Sequence, residues 1–156
     1  MTGRRTDKAS RLVDASPGDV FAAFAHADAL ARWLPPEGAT AEMEAFEFHV
    51  GGPLRLVLHF DGGDNEGRGK TDENSDRVDA VHSAIAHNER IVWDVRFDSD
   101  DEAFAGTMTM EWRIKPKPGG TRVDLVARDV PPGIDAKSHA QGLKSSLANL
   151  AAFVER

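Results

Sequence analysis

The histidines are the side chains of this 156-residue chain best suited to chemistry, because an imidazole moves protons near neutral pH and binds metal ions. The six of them are His26, His49, His59, His82, His87 and His139. No two stand at the short spacing that brings imidazoles together on one face of a strand or helix. This leaves open a metal site assembled across strands, but most lone histidines are surface or hydrogen-bonded residues, so we predict no metal site.

His82 is the histidine best placed for a binding role. It lies in the middle of a predicted strand, and alternation puts it on the same side as Ala80, Ala84 and Ala86. Such small residues leave room beside an imidazole. If this side faces inward, His82 is a polar anchor in an apolar cavity. The alternative is a core histidine whose hydrogen bonds are satisfied within the protein.

The segment Gly69-Lys70-Thr71 looks at first like the end of a phosphate-binding loop. That motif needs a glycine five residues earlier, where this chain has Asp64, and a helix afterwards, where a strand pattern follows. The sequence also lacks cysteine, tyrosine and a Gly-x-Ser-x-Gly motif. This excludes a catalytic thiolate, a catalytic phenol and a nucleophilic serine at the strand-to-helix turn that this motif forms. We expect residues 61–76 to form a flap at the mouth of a cavity instead.

Three acidic features invite a functional interpretation. Glu47 and His49 share a strand face, either as a polar cluster at a cavity rim or, as we favour, as an ordinary cross-strand network. Residues 98–102 are acidic but lack the glycine and the ligand spacing of a calcium loop, so they predict a solvated hairpin. Glu111 lies between two apolar residues and is expected to face the opposite way, to solvent.

The composition excludes several classes of partner. With 26 acidic and 19 basic residues, the formal net charge is −7, and such a field repels phosphate backbones and anionic lipids. No stretch approaches the ~18 apolar residues of a membrane span, and residues 1–8 lack the apolar core of a signal peptide. We expect one cytoplasmic domain over residues 1–156 that binds neither nucleic acid nor membrane.

Two kinds of periodicity, the alternation typical of strands and the three-to-four-residue spacing typical of helices, define the elements that position these residues. From residue 41 onward apolar residues alternate with polar ones, which predicts strands with one buried face in an antiparallel sheet. A weaker pattern over residues 8–15 suggests a first strand. Ser16-Pro17 is a helix start, a second short helical segment covers 28–34, and Asp135 is a plausible N-cap for a C-terminal helix.

The C-terminal helix has a single apolar stripe, formed by Leu143, Leu147, Leu150 and Val154. The sheet and this helix each have one apolar surface to bury, so they are expected to cover each other. The sequence therefore predicts an α+β fold in which a curved antiparallel sheet wraps around the long C-terminal helix, with two short helices after the first strand. This arrangement can leave a cavity between helix and sheet.

The apolar residues expected to line that space form either a plain core or the wall of a ligand pocket, and flexible methionines suit a wall that adapts to varied ligands. Trp93, Met108, Met110 and Trp112 should lie on neighbouring strands and face Leu143 and Leu147 of the helix. The complete set of predicted ligand-binding residues is Trp33, Leu56, Leu58, His82, Trp93, Val95, Met108, Met110, Trp112, Leu143 and Leu147.

Several segments, in their order and spacing, carry a resemblance to a known family. They are Val13–Phe24, Ala31–Leu34, Gly51-Gly52 followed by Leu54-Arg55, Glu89–Trp93, Gly119–Val123 and His139–Leu147. The chain resembles the START-like (SRPBCC, Bet v 1-like) superfamily, in the branch named for the C-terminal domain of the activator of Hsp90 ATPase. The resemblance implies a helix-grip fold, usually with an apolar cavity. It implies no single activity, since the superfamily includes lipid carriers, hormone receptors, aromatase/cyclases and a co-chaperone domain.

Two positions depart from the pattern of this family. The family often has an arginine two residues before the glycine pair, where this chain has His49. Its terminal motif usually reads Gly-Trp, where this chain has Gly142-Leu143. The second departure either frees volume under the helix or is refilled by Trp93 or Trp112.

The favoured hypothesis is binding of a small hydrophobic or amphipathic molecule between helix and sheet, without strong intrinsic catalysis and without a cofactor. An alternative is an enzyme of the cyclase or hydrolase kind that uses His82 or His49 as acid or base. A third hypothesis is a protein-interaction module, such as a chaperone cofactor or a self-associating domain, which would use an exposed surface such as the charged strand face.

Overall fold

The computed structural model describes residues 5–35, 38–60, 75–97 and 106–155. Within them lie the strands β1 (Arg5–Val13), β2 (Ala39–Phe46), β3 (Pro53–Phe60), β4 (Ser75–Ala86), β5 (Arg90–Phe97), β6 (Gly106–Lys117) and β7 (Gly120–Val130). The helices are α1 (Pro17–Ala25), α2 (Ala27–Trp33) and α3 (Ala136–Val154). The predicted flap over residues 61–76 lies outside the described residues up to position 74, as do Gly69-Lys70-Thr71 and the acidic turn at 98–102.

The described strands form one antiparallel sheet in the order β1-β7-β6-β5-β4-β3-β2. The sheet is curved and open, and the helices cover one of its faces, here called the inner face. The predicted alternation is confirmed: on β3, Leu54 and Leu56 are fully buried while Arg55 is exposed. The fold is therefore the α+β helix-grip architecture that the sequence predicts.

Both predicted helix starts are capped by the expected side chains. The Ser16 hydroxyl accepts a hydrogen bond from the backbone N–H of Asp19 at 3.1 Å, and Pro17 occupies the first turn of α1. The Asp135 carboxylate accepts from the N–H of Ser138 at 2.9 Å at the start of α3. Each cap satisfies a backbone donor that the first turn of a helix leaves without a partner.

Helix α3 buries its apolar stripe against the inner face. Leu143, Leu147 and Leu150 are at most 2% exposed and belong to one continuous core that also contains Trp112 and Leu54. Fully burying a leucine is worth about 1.5–3 kcal/mol, so each of these three leucines contributes substantially to the docking of α3. The helix packs mainly against β1, and it also contacts α1, α2 and β7.

Gly142 offers a direct test of how α3 is stabilised. It lies inside the helix on the exposed side, and a Cβ added there meets no atom within 4 Å. Since glycine inside a helix costs about 1 kcal/mol relative to alanine, we expect Gly142→Ala to raise the free energy of unfolding by roughly 0.5–1 kcal/mol. Urea denaturation followed by tryptophan fluorescence measures the change.

Gly51→Ala is the matched control for this substitution. Gly51 also has open space around its Cβ position, but its φ of +89° is strained for alanine, so this variant should lose stability. If Gly142→Ala does not raise the free energy of unfolding, the helix propensity of α3 does not limit the stability of the protein.

The face of the sheet turned away from the helices, here called the outer face, contains a buried charge. Glu111 is only 4% exposed, so the expectation that it faces solvent is wrong. Its carboxylate accepts hydrogen bonds from Arg90 at 2.8 Å, from Arg113 at 3.0 Å and from Arg128. The alternation correctly turned Glu111 away from the core, but arginine side chains from three adjacent strands cover it.

These hydrogen bonds change the acidity of the buried carboxylate. Donation from Arg113, followed by Arg128 and Arg90, lowers the pKa of Glu111 to about 2 against the opposing effect of burial. The arginine side chains remain 49%, 41% and 38% exposed for Arg90, Arg113 and Arg128. The carboxylate therefore holds three cationic side chains together on the outer face.

Candidate ligand-binding site on the inner face

An aromatic cluster forms where α1 and α2 meet the inner face. The ring of Trp112 lies 5.0 Å from Phe24 and 5.5 Å from Trp33, centroid to centroid, and 5.4 Å from Trp93 on the neighbouring strand. These contacts are edge-to-face, the geometry that aromatic rings prefer. All three tryptophans are at most 2% exposed.

The strand register brings His82 beside this cluster. His82 on β4 stands directly opposite Trp93 on β5, and directly opposed residues of antiparallel strands point to the same face. The imidazole is fully buried, and its ring meets those of Phe46 and Phe48 at 5.6 Å and 5.3 Å. The inward orientation on which its predicted role depends is therefore confirmed.

The backbone around Gly52 fixes the tautomer of His82. Its Nδ1 lies 3.1 Å from the carbonyl oxygen of Gly52. A carbonyl oxygen only accepts, so Nδ1 donates the proton and Nε2 of the neutral ring keeps a free lone pair. Burial lowers the pKa of His82, which favours this neutral ring. The Gly51-Gly52 turn also exchanges backbone hydrogen bonds with His82 at 2.7 Å and 2.9 Å, which holds the strand in place.

Three buried polar atoms in this region have no hydrogen-bond partner among the described residues. They are Nε2 of His82, Nε1 of Trp93 and Nε1 of Trp112. The indole of Trp33, by contrast, donates to the carbonyl oxygen of Ala23 at 2.9 Å. A buried polar group without a partner costs about 1–3 kcal/mol, and native proteins contain few of them. One acceptor and two donors on neighbouring strands therefore mark this part of the core as unusual.

Most of the predicted lining residues come together. Trp33, Leu56, Trp93, Val95, Trp112, Leu143 and Leu147 are buried in one continuous core, and Leu58 and Met110 pack against it partly buried. Their contact with a ligand stays a prediction.

Met108 lies apart from that core, so the expectation that it faces Leu143 and Leu147 is corrected. It packs in a small separate cluster with Ala127 and Val130, next to Ile134. Ile134 immediately precedes α3, whereas Leu143 lies eight residues beyond the cap at Asp135, or about 12 Å along the helix.

A β-bulge corrects the predicted surroundings of His82. The register of β4 shifts between His82 and Ala84, so Ala84 stands opposite Val92, beyond which lies Glu111 of the outer face. Ala84 and Ala86 are therefore not beside His82, as strict alternation predicted, although Ala80 is. Phe46 and Phe48 contact the imidazole instead, and the sequence reasoning did not select them although they alternate just before the Gly51-Gly52 turn.

His49 is excluded as a histidine of this site because its ring lies at the surface. Its side chain is 60% exposed, and Nε2 lies 3.0 Å from the Glu47 carboxylate. That hydrogen bond raises the pKa of His49. Glu47 and His49 do pair, but within one segment just after the end of β2 at Phe46, so the pair is not the cross-strand network that we favoured.

The family known as Activator of Hsp90 ATPase homolog 1-like protein matches residues 14–155. The chain belongs to this family. A solved structure from Chromobacterium violaceum shares 27% identity, covers 97% of both chains and superimposes with a TM-score of 0.82. A protein of Rhodobacter sphaeroides shares 18% identity over 99% of this chain and 94% of its own, with a TM-score of 0.78.

A protein of Aeromonas hydrophila that is itself described as AHSA1-like is similar at 16% identity, over 97% of this chain and 92% of its own, with a TM-score of 0.73. No curated protein matches the chain significantly. This member of the Activator of Hsp90 ATPase homolog 1-like family thus shares its helix-grip fold with bacterial proteins over nearly their whole length.

Two structural features are absent from the described ranges of this family member. Those residues contain no group of three or more histidines, aspartates and glutamates that could hold a metal ion. Among the same residues, no helix combines the length and apolar character that crossing a membrane requires.

Proposed function

We propose that this protein binds a small hydrophobic or amphipathic molecule between α3 and the inner face of the sheet, in the cytoplasm and without strong catalysis of its own. Folds of this type commonly bind hydrophobic ligands. The main support for the proposal is a group of three buried polar atoms, on His82, Trp93 and Trp112, that have no hydrogen-bond partner within the part of the chain that the structure describes. Apolar walls with a few convergent polar groups are the usual composition of a small-molecule site.

The expected affinity follows from the area that such a ligand buries. At ~25 cal/mol per Å², hiding some 200 Å² of apolar ligand surface yields about 5 kcal/mol before ordering costs. Each new hydrogen bond to an atom that otherwise lacks a partner adds roughly 1 kcal/mol. Together these contributions support micromolar to millimolar binding.

The charge distribution favours binding over catalysis. The buried polar or charged residues among those described are His82, Glu111 and Thr121. Glu111 lies on the outer face, and the Thr121 hydroxyl donates to the carbonyl oxygen of Ala15 at 2.7 Å. His82 therefore has no buried acid or base beside it in this set, whereas acid–base catalysis needs groups positioned to give and take protons.

Native mass spectrometry of protein purified from the organism that carries it tests this function. We expect a species heavier than the chain by the mass of a small organic molecule, which denaturation releases. Leu143→Trp introduces the residue that the family usually has beneath the helix, and it should reduce the bound fraction by filling space. Leu12→Trp is the matched control, because Leu12 is 55% exposed.

A second assay covers a ligand lost during purification. The neutral dye N-phenyl-1-naphthylamine should bind the folded wild-type protein and the Leu12→Trp variant with enhanced emission, and should bind Leu143→Trp more weakly. Absence of both a retained molecule and dye binding would contradict the proposed function.

A further inference from the structure

We propose that the ligand is a neutral molecule carrying a hydroxyl group, which donates to Nε2 of His82 and accepts from the indole N–H of Trp93 or Trp112. This inference rests on the proposed function, because it names the chemistry of the molecule bound at that site. It follows from three independent features of the inner face.

The first feature is the acceptor. Gly52 occupies Nδ1 of His82 through a carbonyl oxygen that can only accept, so the free lone pair is on Nε2. A fully buried imidazole nitrogen in this form is complementary to an O–H or N–H donor and not to a carbonyl or ether oxygen. The ligand must therefore bring a hydrogen.

The second feature is the pair of indole donors. Trp93 stands directly opposite His82 in the sheet, and the ring of Trp112 lies 5.4 Å from that of Trp93. Their Nε1 atoms are buried and unpartnered within the described part of the chain, whereas Trp33 is already bonded to Ala23. An indole N–H only donates, so the same ligand must also bring an acceptor. A hydroxyl group supplies both functions with one oxygen atom.

The third feature is that the charged side chains described beneath α3 already pair with one another and lie away from His82. Asp7 on β1 pairs with His139 at 2.6 Å and with Arg5 at 3.1 Å, and three strands separate β1 from β4. Glu111 is the ionised side chain among the buried ones, and it lies on the outer face, paired with three arginines. An anionic or cationic ligand would lose its hydration without gaining an ion pair, which costs several kcal/mol. The site therefore discriminates against carboxylates and ammonium groups and admits neutral molecules.

Three probes that share one apolar scaffold test the inference: naphthalene, 1-naphthol and 1-naphthoate. By isothermal titration calorimetry at neutral pH, we expect 1-naphthol to bind about tenfold more tightly than naphthalene, and 1-naphthoate more weakly than either. In ¹⁵N–¹H spectra, 1-naphthol should move the indole signal of Trp93 or Trp112 downfield. The Trp33 signal is the internal control and should not move, because its indole N–H already donates to the carbonyl oxygen of Ala23.

A variant separates the hydrogen bond from the apolar contact. His82→Phe removes the lone pair but keeps an aromatic ring, so the ratio of its affinities for 1-naphthol and naphthalene should fall from about ten to near one, whatever its affinity for naphthalene. His59→Phe is the control, because His59 is exposed and pairs with Glu42 at 3.2 Å. If His82→Phe does not fold, the indole signals of the wild-type protein still decide the question.

The outcomes distinguish the two proposals. If neither naphthalene nor 1-naphthol binds, the proposed function fails and this inference fails with it. If both bind equally, water satisfies the three polar atoms and only the inference fails. If 1-naphthoate binds most tightly, the site takes anions, which overturns the inference while the proposed function stands.

Discussion

Glu111→Gln is expected to lower the free energy of unfolding by about 3 kcal/mol. The substitution preserves the size of a nearly buried side chain but removes its charge, which leaves the guanidinium groups of Arg90, Arg113 and Arg128 facing one another. Breaking a buried ion pair by removing one partner typically costs about 3–5 kcal/mol. The arginines are partly exposed, so water relieves some of their repulsion, and we expect the lower end of this range. Urea denaturation measures the difference.

Glu47→Gln is the matched control for this substitution. Glu47 also belongs to an ion pair on a strand end, with His49, but its side chain is 62% exposed. Surface pairs are worth little, so this variant should stay within about 0.5 kcal/mol of wild type. Equal stability of Glu111→Gln and Glu47→Gln would show that the arginine cluster does not depend on the buried carboxylate.

The same carboxylate makes the stability of the wild-type protein depend on pH. The pKa of Glu111 is about 2 in the folded protein and 4.5 in the unfolded reference, so the folded state favours the ionised form. Its contribution is fully present above the unfolded pKa and is lost as the pH falls from about 5 towards 2. The stability of Glu111→Gln should therefore decline less steeply over this interval.

Gly52→Ala is the second substitution with a large expected effect, a loss of about 3 kcal/mol in the free energy of unfolding. A Cβ at Gly52 would lie 2.2 Å from the carbonyl oxygen of Glu47 and 3.0 Å from that of His49. Both obstacles are backbone atoms, so the turn itself must move. Because the Gly52 carbonyl anchors Nδ1 of His82, the variant should also lose its preference for 1-naphthol over naphthalene.

Gly142→Ala is the control for Gly52→Ala, because it adds the same methyl group where nothing lies within 4 Å. The two variants should change stability in opposite directions. Wild-type stability and an unchanged preference for 1-naphthol in Gly52→Ala would contradict the close packing of this turn and its role in holding His82.

Local sequence patterns predicted the fold, but they predicted the arrangement of the site only in part. The alternation on β3 and the caps at Ser16 and Asp135 act within a few residues of sequence, so the pattern there predicts the structure directly. The burial of Glu111 depends on arginines from three strands, which the sequence of one strand does not reveal. The periodicity of a strand sets which of its residues face the core, but it does not say which strands become its neighbours.

His82 shows the same limit of sequence-based prediction within the site. Its position within an apolar strand predicted an inward imidazole, and it is fully buried. The bulge before Ala84 displaced Ala84 and Ala86, two of the three small neighbours that alternation had predicted, and the rings of Phe46 and Phe48 contact the imidazole instead. Which nitrogen is free depends on the carbonyl of Gly52, thirty positions away in sequence. Such a contact is visible only in three dimensions.

A crystal structure of the protein with bound 1-naphthol would locate the ligand and its hydrogen bonds. We expect the naphthalene rings to pack in the aromatic core and the hydroxyl oxygen to lie within about 3.2 Å of Nε2 of His82 and of one indole nitrogen, from Trp93 or Trp112. A naphthol bound elsewhere on the protein, with protein side chains filling the space around these three nitrogen atoms, would refute a ligand site on the inner face.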